Sequence, residues 1–242
     1  GVVFSEVLLP ENAPAIFAVD RNILWDAVER KETHSAAQLA REVEVALPCE
    51  FTRQEQIDTV REYIMKNFVR EGMCADWALH DKGDGNPHAH IMLTMRAIKT
   101  NGRWAEKSRT IYKLDPNGQK IPVIDPTTGQ QKIGARGRKM WQRETVPAND
   151  WNDRSKAEEW RAAWAAECNR RLDRQHQIDH RSYARQAVEQ EPTIHEGYAA
   201  RKMEREGRVS NRCEINRETK LLNEQHSRRL EEANGELYNA TS

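Results

Sequence analysis

The chain lacks the features that define membrane-spanning and disulfide-stabilised proteins. None of its 242 residues lies in an apolar run that approaches the roughly 18 residues needed for a membrane-spanning helix. Its four cysteines are scattered without C-x-x-C spacing, so they do not indicate a disulfide framework. No signal peptide is recognisable either. These absences predict a protein of a reducing cytoplasm, without membrane insertion.

An excess of charge of one sign is also missing. The 38 basic residues balance the 38 acidic residues, so no overall positive field indicates a nucleic-acid partner, and any such interaction must depend on local charge. Hydrophobic residues make up 38% and charged residues 31% of the chain. This length and composition favour one substantial domain with an appendage, or two small domains.

The first part of the sequence predicts an α+β fold. The segments GVVFSEVLL, REVEVALP, MCADWALH and HAHIMLTMR have the composition or the alternation of β-strands. An amphipathic helix is expected after Thr52, which forms a T-x-x-E capping box with Glu55. We therefore expect a mostly antiparallel sheet with helices on one face.

Two further regions follow this core. Residues 100–143 contain short β-prone runs separated by Asp-Pro-Asn-Gly and Asp-Pro-Thr-Thr-Gly turns, which predict a β-meander insertion. A helix with a capping box of Ser155 and Glu158 is expected next, and the tail beyond Cys213 is highly charged. We predict a metal-binding core over residues 1–150, including the insertion, and an α-helical extension with a charged tail over 151–242.

Three histidines fall within the segment HDKGDGNPHAHIMLTMR. His88 and His90 are two residues apart on a predicted strand, so they point the same way with Cα atoms about 6.5 Å apart. His80 ends the preceding strand, and the Gly-Asp-Gly-Asn-Pro turn lets the chain bring it beside the pair. Three imidazoles are therefore expected together on the polar face of the sheet.

Such a group is typical of a catalytic metal site. Three protein ligands leave coordination positions open for water or substrate. Imidazole nitrogen suits transition metals such as Mn, Ni or Zn, and the residue type alone does not select among them.

The histidine segment resembles the third conserved motif of MobA/MobL-type conjugative relaxases, which belong to the HUH endonuclease group. Other stretches resemble those proteins in the same order: GVVFSEVLLP, REVEVALP, VPANDWNDRSKAEEWRAAWAAECNRRL, IDHRSYARQ and EPTIHEGYAARKMEREG. The resemblance covers about the first 220 of the 242 residues, and the histidine motif is its most specific part.

The resemblance implies strand-specific nicking and rejoining of DNA at a plasmid transfer origin, which initiates conjugative mobilisation. A tyrosine hydroxyl attacks the scissile phosphate, and a divalent metal polarises that phosphate. His80, His88 and His90 would be the metal ligands, with Mg or Mn as the metal and Ni or Zn as substitutes in vitro. The implied partners are single-stranded origin DNA and the accessory and coupling proteins of a relaxosome, in the bacterial cytoplasm.

The tyrosines depart from the family pattern. Such relaxases carry the nucleophilic tyrosine near the N-terminus, before a strand like GVVFSEVLLP. None of the five tyrosines lies there: they are Tyr63, Tyr112, Tyr183, Tyr198 and Tyr238. Since the chain starts without Met, we expect it to begin inside a domain, with the nucleophile upstream of Gly1. No tyrosine is assigned a catalytic role.

Two carboxylates are candidates for catalysis. Glu42 and Glu44 share one face of the REVEVALP strand, and they approach the metal if that strand lies beside the histidine strand. One of them could accept the tyrosine proton or orient a ligand histidine. The alternative is a pair of solvated glutamates, and the sequence does not separate Glu42 from Glu44.

A locally basic segment runs from Arg96 to Arg143, with twelve basic and three acidic residues and a net charge of +9. Aromatic residues are interleaved with it, as single-stranded DNA binding requires. The alternative is a solvated insertion with buried tryptophans. The predicted DNA contacts are Arg96, Arg103, Arg109, Arg136, Arg138, Lys139 and Trp141.

Two other functions remain open at this point. A rolling-circle replication initiator nuclease would use the same catalytic centre. A non-catalytic metal-binding or DNA-binding fragment would need no tyrosine.

Overall fold

The computed structural model describes residues 1–83 and 85–241, which form two compact units. Unit 1 comprises Gly1–Ile178 and unit 2 comprises Asp179–Ser242. The functional boundary predicted near residue 150 stays a prediction, and that position lies inside unit 1.

A four-stranded sheet forms the centre of unit 1. Its strands are β1 (Val2–Leu8), β2 (Ala40–Ala46), β3 (Ala75–His80) and β4 (His88–Thr94). They lie in the order β1-β3-β4-β2, and each neighbouring pair is antiparallel. The predicted α+β class with an antiparallel sheet is therefore confirmed.

Alternation along β3 and β4 divides the sheet into an apolar face and a histidine face. Leu79, Ala89 and Ile91 are fully buried on the apolar face. The histidines of the two strands alternate with these residues and lie on the opposite face.

Two helices cover the apolar face: α3 (Arg53–Asn67) and α4 (Arg154–Asn169). The predicted capping box starts α3, since the Thr52 hydroxyl accepts from the Glu55 amide and the Glu55 carboxylate accepts from the Thr52 amide. Tyr63 of α3 packs edge-on against Trp164 of α4, with ring centroids 5.1 Å apart. Aromatic packing of this kind joins the helices into one core with the sheet.

The capping box predicted for α4 is wrong. The helix begins at Arg154, two residues before the start at Lys156 that a Ser155 N-cap implies, and it follows Asp153 in an extended conformation. Ser155 therefore already has helical geometry, and it cannot occupy the non-helical N-cap position that a capping box requires.

Two further helices, α1 (Ile16–Val19) and α2 (Arg21–Lys31), cover the end of the histidine face that is remote from the histidines. Asp20 has extended backbone angles and caps α2 through the Asn22 amide, so the helical pattern is interrupted there. Trp25 of α2 donates to the buried Asp76 carboxylate of β3 at 2.9 Å. The predicted helices on the face opposite the histidines are α3 and α4. Helices α1 and α2 lie on the histidine face, in addition to those that were predicted.

The predicted insertion is an extended antiparallel ribbon. Strands β5 (Ser108–Tyr112) and β6 (Arg143–Pro147) form its base, and isolated bridges such as Ile133↔Lys139 continue it outward. We call residues 108–147 the basic ribbon.

Unit 2 contains α5 (Tyr183–Gln186), α6 (Gly197–Arg205) and α7 (Asn211–Thr241). Two asparagines of α7 hold the segment that precedes α6 through paired hydrogen bonds, Asn216 to the backbone of Ile194 and Asn223 to that of Glu191. No helix in the described part of the chain has the length and apolarity needed to cross a bilayer.

The core between the sheet and the two helices is expected to dominate the stability of unit 1. Phe68 is fully buried, and its ring contacts Tyr63 and Trp160 with centroids 5.3 and 5.2 Å away. We predict that Phe68→Ala lowers the free energy of unfolding by about 3–5 kcal/mol, through lost burial and a residual cavity. Urea unfolding measures the change, with the exposed Ile133→Ala as control. A loss for Phe68→Ala no larger than that of the control would contradict this packing.

Candidate metal centre and nucleic-acid surface

The register of β3 and β4 brings the three histidines together. His80 lies directly opposite His88, and His90 lies opposite Ala78. Since paired residues of an antiparallel sheet share a face, all three side chains leave the sheet on the same side. The sequence prediction therefore placed these residues correctly relative to one another.

The geometry of the three rings suits a single metal ion. Each ring is half-buried, and one nitrogen from each lies within 4.8 Å of those of the other two. The ring centroids are 4.7–5.4 Å apart. Neutral imidazoles at this spacing can hold a divalent transition metal and leave coordination positions for further ligands.

Hydrogen bonds fix two of the rings. The Nδ1 atom of His88 lies 2.8 Å from the Asn86 carbonyl oxygen, and the Nδ1 atom of His90 lies 2.7 Å from Glu42 Oε1. Because both oxygens accept, Nδ1 carries the proton in each ring, and the Nε2 lone pair is left for a metal. Such outer partners orient ligand histidines and raise their basicity.

The electrostatics keep His80 in the form that binds metal. Partial burial lowers its pKa, and the positive charge that His90 or His88 carries when protonated lowers it further, as does Lys82. The ring is therefore neutral around pH 7, and a neutral ring retains the lone pair that coordination requires.

The turn after His80 is held by Asp81. Its carboxylate accepts from the Gly83 amide at 2.8 Å and from the Arg53 guanidinium at 2.6 Å, and both bonds lower its pKa. Gly83 has φ +71°, a left-handed conformation that glycine adopts at little cost. The Gly1 backbone exchanges hydrogen bonds with that of Asp81, so the start of the chain lies next to His80.

The structure distinguishes the two candidate glutamates. Both lie on the histidine face, and Glu44 is directly opposite His90 in the register. Glu42, however, makes the side-chain hydrogen bond to His90. The geometry thus favours Glu42 for orienting the ring, and it leaves Glu44 exposed beside the site. The catalytic role of either residue stays a prediction.

Small side chains flank the histidines. Ala46 pairs with His88 and Ala78 pairs with His90 on the same face of the sheet. Methyl groups at these positions leave space next to the rings for a substrate. Sequence reasoning did not single out these alanines, because only the strand register shows that they are neighbours of the histidines.

Tyr63 does not complete the site, because it lies on the other face of the sheet. Tyr63 is buried on the apolar face, where its hydroxyl donates to the Trp160 carbonyl oxygen, and burial raises its pKa. Tyr112 lies in the basic ribbon, and Tyr183 and Tyr198 belong to unit 2. The side chain of Tyr238 lies outside the described residues.

Most of the predicted DNA contacts lie on exposed surface. Arg136, Arg138 and Lys139 are exposed around a turn of the ribbon, and Arg103 and Arg109 are also exposed. Trp141 is half-buried and bridges to Pro122. Their contact with DNA stays a prediction.

Two residues of the basic segment have structural partners instead. Arg96 is 14% exposed and forms a two-point contact with Glu32, at 2.7 and 3.3 Å. Trp104 stacks on Phe17 with centroids 6.1 Å apart, in the small core beneath α2. The charged groups of Lys120 and Arg143 both lie over the Tyr112 ring, which sequence spacing did not reveal.

Substitution of Glu42 and of Glu44 is expected to change the metal affinity by different amounts. Glu42→Gln should weaken binding of Mn²⁺ or Ni²⁺ about 10–100-fold, because the stronger acceptor for His90 is lost. Glu44→Gln, the matched control, should leave affinity within about threefold of the wild type. Isothermal titration calorimetry measures both, and His90→Ala should abolish binding. Equal losses in the two glutamine variants would contradict the assignment of Glu42.

Comparisons with known proteins identify the family of the chain. Residues 1–206 match the model of the MobA/MobL family. The chain is 48% identical over 221 residues to "Probable mobilization protein MobA" of Bifidobacterium longum, covering 90% of this chain and 39% of that protein. It is 32% identical over 241 residues to "Conjugal transfer protein TraA" of Agrobacterium fabrum, covering 92% of this chain and 20% of that protein.

A solved structure is also similar. It is described as "Molecular Basis of Vancomycin Resistance Transfer in Staphylococcus aureus", with a TM-score of 0.56, 27% identity and coverage of 76% of this chain and 77% of that one. The chain spans less than half the length of the two curated relatives above. On the family match over residues 1–206, the chain belongs to the MobA/MobL family.

Proposed function

We propose that this chain carries the metal-binding part of a relaxase, which nicks and rejoins one DNA strand at a plasmid transfer origin and so initiates mobilisation. The observation that carries the proposal is the convergence of His80, His88 and His90, with two Nε2 atoms directed by outer hydrogen bonds. The family membership supports a role in mobilisation. The names of the relatives favour conjugal transfer over rolling-circle replication.

The proposed chemistry is a transesterification. The oxygen of a tyrosine hydroxyl bonds to the scissile phosphorus while the bond from phosphorus to the 3′ oxygen breaks. The tyrosine proton passes to a base, and the 3′ oxygen gains a proton to become a hydroxyl. A divalent ion, Mg or Mn, bound by the three histidines would polarise the phosphate and offset its developing charge.

The side chains of this chain have separate roles in the proposal. Glu42 holds His90 in a fixed orientation, and the exposed Glu44 beside it is the candidate acceptor of the tyrosine proton. A nucleophile attached before Gly1 would enter the site next to His80, because the Gly1 backbone pairs with Asp81. Accessory and coupling proteins of a relaxosome are the partners that we propose alongside the DNA.

The basic ribbon is the proposed surface for single-stranded DNA. Its exposed cations can neutralise phosphates, and Tyr112 offers an aromatic ring flanked by Lys120 and Arg143, whose charged groups lie 4.0 and 5.0 Å from the ring centroid. Arg136, Arg138 and Lys139 extend this charge around the turn.

Nicking should depend on the histidines in a protein that also supplies the tyrosine. We predict that His88→Ala, in a protein that joins a nucleophilic tyrosine segment to the start of this chain, slows cleavage of an origin oligonucleotide about 100-fold or more, through loss of phosphate stabilisation. The assay follows the covalent 5′ adduct on a denaturing gel with Mn²⁺ present. The matched control His176→Ala, a histidine distant in sequence, should retain activity. Cleavage by His88→Ala at the wild-type rate would refute the metal-assisted mechanism.

Ribbon binding has its own test. Reversing the charges of Arg136, Arg138 and Lys139 should weaken binding to poly-dT and reduce the slope of log affinity against log salt by about 2, at about 0.7 for each lost phosphate contact. Fluorescence anisotropy at several salt concentrations measures the slope. A triple reversal of Arg201, Lys202 and Arg208 in unit 2 is the control of equal charge. An unchanged slope in the ribbon variant would show that the cations around this turn face solvent and do not contact the DNA phosphates.

A further inference from the structure

The outer edge of β2 carries backbone groups that do not face β4. Trp164 Nε1 donates to the Ala46 carbonyl oxygen at 3.2 Å from outside the sheet, while the Leu47 amide donates inward to Pro87. Inward and outward directions alternate along an antiparallel strand, so the N–H and C=O groups of Glu42 and Glu44 also point outward. β2 is an edge strand of the sheet, and these groups can receive another strand.

A groove of about 800 Å³ lies along this edge. Its apolar floor is lined by Val43 and Val45 of β2 and by Trp160 and Trp164 of α4, and the segment that ends at Ile178 also borders it. Arg41 lies over the Trp160 ring at 5.4 Å and donates to the Trp151 carbonyl oxygen, which fixes one end of the groove. The Trp164 contact to Ala46 fixes the other end, so a short extended peptide fits between them.

The charges along the groove specify what kind of strand fits. Glu42, Glu44 and Glu50 are exposed on the β2 side of the groove, whereas Arg41 lies at one end of it and Arg161 lines it from α4. A strand paired with β2 would place alternate residues opposite Glu42 and Glu44, and the residues between them over the apolar floor at Val43 and Val45. The complementary sequence therefore alternates lysine or arginine with aliphatic residues.

We propose that the outer edge of β2 binds an extended basic-aliphatic segment of a partner protein by strand addition. Main-chain hydrogen bonds to Glu42 and Glu44 supply affinity, and the alternating side chains supply specificity. Because β4 adjoins β2, the added strand would lie two strand spacings, about 10 Å, from the strand that carries His88 and His90. The backbone of the partner would thus lie beside the metal centre, and its basic side chains would reach Glu42 and Glu44 on the histidine face. This inference does not depend on nicking activity.

Binding can be measured with a fluorescein-labelled KVKVKVK peptide and the full chain. Anisotropy should show binding that weakens at least tenfold for the charge-reversed peptide EVEVEVE. Glu44→Pro should also lose at least tenfold in affinity, because it removes an outward donor while the ladder to β4 keeps its bonds. Glu44→Gln, which keeps the donor and loses only the charge, should lose less. Glu11→Lys, an exposed charge change outside the groove, should bind the peptide like the wild type.

Hydrogen exchange on the wild-type chain tests the location without any substitution. Addition of KVKVKVK should slow exchange of the Glu42 and Glu44 amides. The proposal is overturned if the peptide fails to bind, or if a folded Glu44→Pro binds it as tightly as the wild type. It is also overturned if poly-dT displaces the peptide and protects the same amides, which would make the edge a DNA path. Protection that rises with protein concentration alone would instead assign the edge to a second copy of the chain.

Discussion

The antiparallel pairing of β3 with β4 is the constraint on which the candidate site depends. A slip of one residue in this pairing would move His80 to the apolar face, because side chains alternate along a strand. The same slip would expose Leu79 of β3, whose burial contributes about 1.5–3 kcal/mol. The hydrophobic core on one face of the sheet therefore fixes the positions of the metal-binding side chains on the other.

Strand β2 connects the histidines to the rest of unit 1 through its pairing with β4, its Glu42 side chain and its contact with α4. Its inner edge pairs with β4, and its side chains alternate between Glu42 on the histidine face and Val43 or Val45 toward α4. Glu42 orients His90, so the position of β2 relative to β4 sets the orientation of that ring. The contact from Trp164 to Ala46 then ties α4 to the same strand. Packing on the helical side is thus transmitted to the metal centre through one strand.

Much of the fold and of the candidate site was predictable from sequence, because local signals determine it. Alternation identified the strands, the Thr52 capping box identified the start of α3, and strand periodicity with a glycine-rich turn grouped the three histidines. The remaining features depend on contacts between residues far apart in sequence. The choice of Glu42 over Glu44 needs the side-chain hydrogen bond to His90, because the register alone places Glu44 opposite that ring. The placement of α2 needs the bond from Trp25 to Asp76. The basic segment likewise gave no sign that Arg96 is paired with Glu32.

The ion pair between Arg96 and Glu32 helps to fix the position of the basic ribbon in a chain whose net charge is zero. Glu32 is 5% exposed and contacts Arg96 and also Lys107, which immediately precedes the ribbon. Burial alone would raise the pKa of Glu32, but hydrogen bonds from Arg96 and Lys107 lower it, so the carboxylate stays ionised. The ion pairs of Glu32 with Arg96 and Lys107 therefore hold the base of the ribbon on the sheet, whereas the cations around Arg136 are exposed. Salt screens exposed charges far more than partly buried pairs, so rising salt weakens attraction to DNA before it loosens the anchor that positions the ribbon.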